Sequence, residues 1–245
     1  MATTLGGATP GVINAILGKL SVFGLVLFVA VERHAHAPLV QLALLRNRVL
    51  TMGLLSMTLI ATIMMATLVV GPFYLSGVLG LSPVQTGLAM SVGPVVSDVA
   101  GVPAGRLVDP YGEAAITYSG MIGVILGSVL MLLLPGLFGV TGYIGGLAII
   151  TASHAVFQAA NNTAIMNTAP SERRGVTSAL LGLSRNIGLI TGASAMRAVF
   201  ALGSKRTIFS GPSTGDEVGL QVTFAVAALL AVFALGLSFV GRRNT

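Results

Sequence analysis

The sequence predicts an all-α, polytopic membrane protein of about seven transmembrane helices, on three observations: composition, the length of its apolar stretches and the placement of arginine. Of 245 residues, 54% are hydrophobic and 8% charged, with a mean hydropathy of +0.94; in soluble domains about a quarter of residues carry charge. No soluble core absorbs that much apolar surface. A hydrocarbon layer of about 30 Å takes about 20 residues of helix to cross, with every backbone polar group bonded inside its own segment. Apolar stretches of that length recur at 12–31, 49–70, 84–104, 114–134, 143–166, 177–200 and 220–240.

The net charge of +6 is a topology signal. Arg33, Arg46, Arg48, Arg106, Arg173, Arg174, Arg242 and Arg243 fall at alternate span ends that share one side, whereas Lys205 and Arg206 fall on the other. The positive-inside rule makes the first side cytoplasmic, which puts the C-terminus inside and the N-terminus outside. Lys19, Arg185 and Arg197 remain within spans. The basic residues form no aromatic-interleaved cluster, so nucleic acid is not an expected partner. With no cysteine in the chain, disulfides, thiolate metal sites and cysteine nucleophiles are excluded.

In chain order, residues 1–31 read as an outward N-terminus and a first transmembrane helix. Met1 to Pro10 lacks the basic start of a secretory signal. An outward N-terminus without such a signal is awkward to achieve, and suggests the latter part of something longer. Residues 32–48 form a cytoplasmic connector where charge, proline and two histidines interrupt the hydrophobicity. His34 and His36 have no carboxylate or cysteine partners nearby in sequence, so they read as loop residues and no metal site is expected. Residues 49–245 carry six spans that divide into 49–134 and 143–240, joined by a short loop at 135–142. Three helices followed by three of opposite topology is the pattern of an inverted repeat.

Much of the glycine lies inside spans, where small residues let helices approach closely. The clearest case is Ser184, Gly188 and Gly192, at four-residue spacing. Charged groups in the bilayer cost roughly 2.5–3.5 kcal/mol near a helix centre and so face a cavity or a partner. Asp98 lies on a helical stripe with Ser91, Pro94, Gly101 and Gly105. It reads either as a structural ion pair with Arg185 or Lys19, or as a protonatable carboxylate on a water path. A second row, Thr151, His154, Gln158, Asn161 and Asn162, follows three- and four-residue spacing along one helical face. It reads either as inter-helix hydrogen bonding or as a cavity wall that contacts substrate and relays protons through His154. Met52, Met57, Met64 and Met65 supply either ordinary packing or a pliable apolar surface. The candidate substrate and proton pathway is therefore Asp98, His154, Gln158, Asn162 and Arg185.

Two stretches carry a family likeness. Gly105-Arg106-Leu107-Val108-Asp109-Pro110-Tyr111-Gly112-Glu113 resembles the cytoplasmic loop signature G-x-x-x-D-R/K-x-G-R/K-R/K of the major facilitator superfamily, retaining Gly105, Asp109 and Gly112, while Pro110 and Glu113 replace basic residues. Pro170-Ser171-Glu172-Arg173-Arg174-Gly175, followed by Leu181-Gly182-Leu183-Ser184-Arg185-Asn186-Ile187-Gly188, resembles a stretch of that superfamily's fourteen-helix drug:proton antiporter branch. The connector at 32–48 is similar to the segment joining the branch's extra helices to its second half.

The resemblance implies a six-helix C-terminal half-bundle plus one extra helix. It also implies a cytoplasmic gate at Gly105, Asp109 and Gly112, and proton-coupled export of drugs or amphipathic small molecules across the inner (plasma) membrane. The expected partners are the lipid bilayer, a small-molecule substrate, protons, and either a separate N-terminal half or further copies of the chain. No cofactor and no catalytic residue are expected. The alternative is a non-transporting membrane subunit or an incomplete transporter. Other classes fit less well: the last span has no lysine for a retinal Schiff base, and the chain has no phosphate-binding Walker loop. The segment Thr191-Gly192-Ala193-Ser194-Ala195 lacks the final glycine of a serine nucleophile turn.

Overall fold

The computed structural model describes residues 47–205 and 212–243. The first span, the connector through Arg46, Lys19, His34 and His36 all lie outside the described residues. The described residues form five α-helices: α1 (Arg48–Phe73), α2 (Pro83–Tyr111), α3 (Glu113–Asn167), α4 (Arg174–Lys205) and α5 (Pro212–Arg243). All five carry stretches long and apolar enough to cross a membrane.

The helix ends follow local chemistry. Asn47 caps α1 through Oδ1, which accepts from the backbone N–H of Val49 at 3.0 Å and of Leu50 at 3.3 Å. Past Phe73 the chain widens into a π-helical turn, Tyr74–Val78, two residues after Pro72, which cannot donate to the helical ladder. Ser82 opens α2 with a capping box: its Oγ accepts from the Gln85 N–H while Gln85 Oε1 accepts from the Ser82 N–H. Gly112 ends α2 and starts α3 at φ 78°, ψ 151°, a region essentially confined to glycine. Its N–H donates to the Val108 carbonyl at 2.8 Å.

The sequence predicts a loop at 135–142, and here the structure differs. Helix continues through that segment and reverses at a single residue, Gly139 (φ 57°, ψ −128°). One left-handed glycine replaces the expected loop, and Pro135 is absorbed in the preceding helix. The two arms of α3 then run antiparallel in close contact. A Cβ on Gly120 would stand 2.7 Å from Phe157 Cα, and one on Gly127 2.8 Å from Ile150 Cα. Since α3 doubles back in this way, the described chain makes six crossings. They coincide with the six spans predicted for 49–245, each somewhat longer than its apolar stretch.

The tightest seam joins α1 to α4, the helix pair in most extensive contact. A Cβ on Gly188 would run into the Thr58 carbonyl and stand 2.7 Å from Ala61 Cβ; one on Gly192 would stand 2.8 Å from Thr62 Cα. That proximity brings α1 hydroxyls to α4 carbonyls. Thr58 Oγ1 donates to Ser184 O at 3.1 Å and Thr62 Oγ1 to Gly188 O at 3.0 Å, each sharing its proton with its own helix. Such bonds contribute about 0.6 kcal/mol on average in membranes, and at most about 1.7. α5 packs on α1, α3 and α4, and α2 chiefly on α3. The buried core runs along α1, the two arms of α3 and α5, from Ile60 and Ile63 through Met121, Val124 and Phe157 to Phe224 and Ala231.

Gly188→Ala should lower stability by about 1–3 kcal/mol, because the added methyl has backbone against it and cannot be accommodated by a rotamer change. Gly182→Ala, where a Cβ meets nothing within 4 Å, should be neutral or stabilise by up to about 1 kcal/mol. Unfolding by SDS titration in mixed micelles distinguishes the two.

Candidate functional site

Between α1, α2, the second arm of α3 and α4 lies a cavity of about 310 Å³. Helical periodicity selects its walls. α1 presents Ala61, Met64, Met65 and Leu68, with Thr67 beside them; α2 presents Met90, Gly93, Pro94 and Ser97. The second arm of α3 contributes Tyr143, Leu147, Thr151 and His154, and α4 contributes Arg185 and Leu189. Three of these sets follow i, i+3, i+4 or i+7 spacing along one face.

Several lining groups are fixed by bonds made elsewhere. Tyr143, fully buried, donates from its hydroxyl to Thr67 O at 3.4 Å and stacks on Tyr74 with ring centroids 6.2 Å apart. Thr151 Oγ1 is occupied within its own helix, donating to Leu147 O at 2.7 Å. A Cβ added at Gly93 would stand 3.5 Å from Thr151 Cγ2 and 3.6 Å from Leu147 Cδ1, so the wall between α2 and α3 has room there for one methyl in ordinary van der Waals contact. His154 is 8% exposed, and Arg185 is exposed. The two line the same cavity from different helices.

Of the residues singled out from sequence, His154 and Arg185 share this cavity, with Thr151, Met64 and Met65. Asp98 does not line it: it is exposed, one position beyond the lining Ser97. Among the described residues Asp98 and Arg185 form no ion pair with each other, so this one of the alternative readings of Asp98 is not seen. Lys19 lies outside the described residues. Gln158 and Asn162 are half-buried on α3 beyond the cavity wall, and Asn162 Oδ1 is buried without a hydrogen-bond partner among the described residues. Asn161 belongs to packing: its Nδ2 donates to Gly53 O of α1 at 3.2 Å. Met57 is core, 2% exposed, and Met52 packs against Gly241 of α5.

Gly105 and Asp109 are exposed on the last turns of α2, and Gly112 is the residue that turns the chain into α3. Sequence reasoning missed Met90, Ser97 and Tyr143. The signal for the α2 pair was present: Met90, Gly93, Pro94 and Ser97 make a helical stripe that adjoins, and shares Pro94 with, the Ser91–Asp98 stripe that the charge drew attention to. No group of three or more metal-ligating side chains occurs among the described residues.

A bundle of antiparallel transmembrane helices with a partly polar, half-open cavity among them fits a membrane transporter domain. The chain matches the Major Facilitator Superfamily over residues 2–193, and it belongs to that superfamily, whose members are transporters and not enzymes. It is 29% identical over 238 residues to the "Uncharacterized transporter YebQ" of Escherichia coli (strain K12), covering 96% of this chain and 49% of that protein. It is 24% identical over 174 residues to the "Multidrug efflux pump LfrA" of Mycolicibacterium smegmatis, covering 71% and 34%. It is 27% identical over 162 residues to the "Riboflavin transporter RibZ" of Clostridioides difficile, covering 66% and 36%. The chain thus spans about half or less of the length of these relatives.

Because the chain has no native cysteine, single cysteines report water access without background. Ser97→Cys and Thr151→Cys should react with a charged methanethiosulfonate at least about tenfold faster than Ile63→Cys, whose site is fully buried. Equal rates would mean that the cavity is closed to water.

Proposed function

We propose that this chain is the C-terminal half of a proton-coupled secondary exporter of drugs or amphipathic small molecules. In this reading residues 49–245 form the six-helix half, 49–134 and 143–240 are its inverted three-helix repeats, and 1–31 with the connector 32–48 are the last extra helix and its linker. The observation that carries the reading is the cavity, where methionines of two helices and polar groups of two others face one space. Thioethers with free torsions adapt to varied apolar bodies, and a few placed polar groups orient them. The packing supports the repeat: α1 packs on α4, and the second arm of α3 meets α2 where Leu147 and Thr151 face Gly93, the pairing expected when the two sets exchange roles. The relatives named above include a multidrug efflux pump and a riboflavin transporter, each with more chain than is present here.

Alternating access requires two halves moving about a central site. The missing wall is supplied by an N-terminal half, carried on the same polypeptide or on another, or by another copy of this chain. Asp98 is the carboxylate assigned to proton coupling, with His154, Gln158 and Asn162 along the pathway. Gly105, Asp109 and Gly112 form the cytoplasmic gate of an inner (plasma) membrane protein whose C-terminus is inside. Arg48, Arg106, Arg173 and Arg174 support that orientation, because they lie at helix ends gathered at one end of the bundle. The second reading, a non-transporting subunit, rests on the exposure of α2 and α4, which leaves the cavity open on one side.

An antibody to the C-terminal tail should detect a band near twice 24.8 kDa in native membranes. A band at this chain's own mass instead would favour a split or non-transporting protein. In proteoliposomes of the complete transporter, Asp98→Asn should abolish pH-driven flux at unchanged expression, and retained flux would remove Asp98 from the coupling pathway.

A further inference from the structure

We propose that the cavity takes an amphipathic organic anion, with Arg185 and His154 as the pole that receives the negative group and Met64, Met65 and Met90 as the seat of its apolar body. This rests on the reading of the cavity as a substrate site and gives that substrate a sign.

The sign follows from which charges reach the cavity. Among the described residues, Arg185 is the sole formally charged side chain on its wall, and no aspartate or glutamate lines it. The other described acidic groups stand elsewhere: Asp98 is on the exposed face of α2, Asp109, Glu113 and Glu172 are at helix ends, and Asp216 and Glu217 are in the first turns of α5. A guanidinium presents five donors and accepts nothing. Among the described residues, that of Arg185 has neither a hydrogen bond nor an ion pair. His154, more than nine-tenths buried, lines the same space and likewise has no hydrogen-bond partner among the described residues.

Two unsatisfied nitrogen groups on facing helices, one permanently cationic, are complementary to a sulfonate, carboxylate or phosphate. The planar guanidinium fork matches such oxygens in pairs. The low dielectric of the bilayer strengthens that attraction relative to water. A cationic compound in the same space would meet Arg185 with no lining carboxylate to offset the repulsion. The volume of about 310 Å³ on this chain's side of the site lies within the range of small-molecule sites, about 300–1,000 Å³, and has room for a compact ring system.

The test uses the whole chain in phosphatidylcholine nanodiscs and three probes sharing one ring system: 2-naphthalenesulfonate, 2-naphthyltrimethylammonium and 2-naphthylmethanol. Equilibrium dialysis against empty nanodiscs gives the affinities. The sulfonate should bind at least about tenfold more tightly than the ammonium, a preference that charge-assisted pairing readily supplies. Arg185→Gln should remove the preference, Arg185→Lys should keep part of it, and Arg197→Gln, a charge loss on the same helix outside the cavity, should keep all of it. Equal affinities, a cation preference, or an anion preference that survives Arg185→Gln would overturn the proposal.

Two further arms separate its causes. If nanodiscs of phosphatidylglycerol abolish sulfonate binding, a lipid headgroup occupies the anion pole; if binding persists, the pole serves a soluble anion, and either result upholds its sign. Should the three probes bind equally and all be lost in Gly93→Phe, which fills the cavity, the substrate-site reading stands and the anion inference falls. Absence of binding by every probe would remove both.

Discussion

The close approach of α1 to α4 is the contact on which the rest of the bundle depends. Water does not drive helices together once both are in lipid, so association rests on surfaces that fit and on the few polar bonds they allow. Gly188 and Gly192 remove the side chains that would hold the axes apart, and Thr58 and Thr62 then reach carbonyls of the facing helix. Neither contribution suffices alone: without the glycines the hydroxyls would return wholly to their own helix. The seam also sets the cavity. It fixes one face of α1 against α4 and turns the adjoining face, with Met64, Met65 and Leu68, towards α2 and the second arm of α3.

A second constraint acts near the far end of α1. Pro72 and the π-helical turn Tyr74–Val78 change the helix path where Tyr74 stacks on Tyr143. Tyr143 thereby links two roles: its ring lines the cavity while its hydroxyl is tied to the α1 backbone at Thr67. A change in the course of α1 at this point is therefore felt by the cavity wall directly. Close to the same end, the α3 arms meet at Gly139, where an abrupt reversal leaves no loop to absorb motion.

The bilayer made the fold legible. Spans needing about 20 apolar residues stand out in a chain with so little charge, and six of them recur as helices in the described residues. The Ser184, Gly188 and Gly192 spacing also announced a tight seam, since four-residue recurrence of small groups has few other uses in lipid. What could not be read was the rotation of each helix. Asp98 drew a stripe through Ser91 and Pro94, whereas the wall runs through Met90, Gly93, Pro94 and Ser97, an adjoining face that shares Pro94 and is turned by less than the about 100° of one residue step. On the second arm of α3 the polar row was recognised as a row, but its members divide: Thr151 and His154 face the cavity and Asn161 bonds to Gly53. Periodicity gives a face, and only packing says what that face meets. The reversal at Gly139 was hidden for a related reason, because apolar residues on both sides of it continue the helical pattern.

The distribution of exposure bears on what surrounds this bundle. In its most apolar window α1 is 50% buried, against 17% for α2 and 28% for α4. The two least covered helices are also those with exposed charge and amide groups within their spans: Asp98 on α2, and Arg185, Asn186 and Arg197 on α4. A helix facing hydrocarbon does not carry such groups without a cost of several kcal/mol, whereas the exposed residues Leu229, Val232, Phe233 and Phe239 of α5 suit lipid well. Lipid therefore accounts for the outer surface of α5 and not for the faces of α2 and α4 beside the cavity. Those faces need water or protein against them, and both needs are met if a second bundle stands across the cavity from this one.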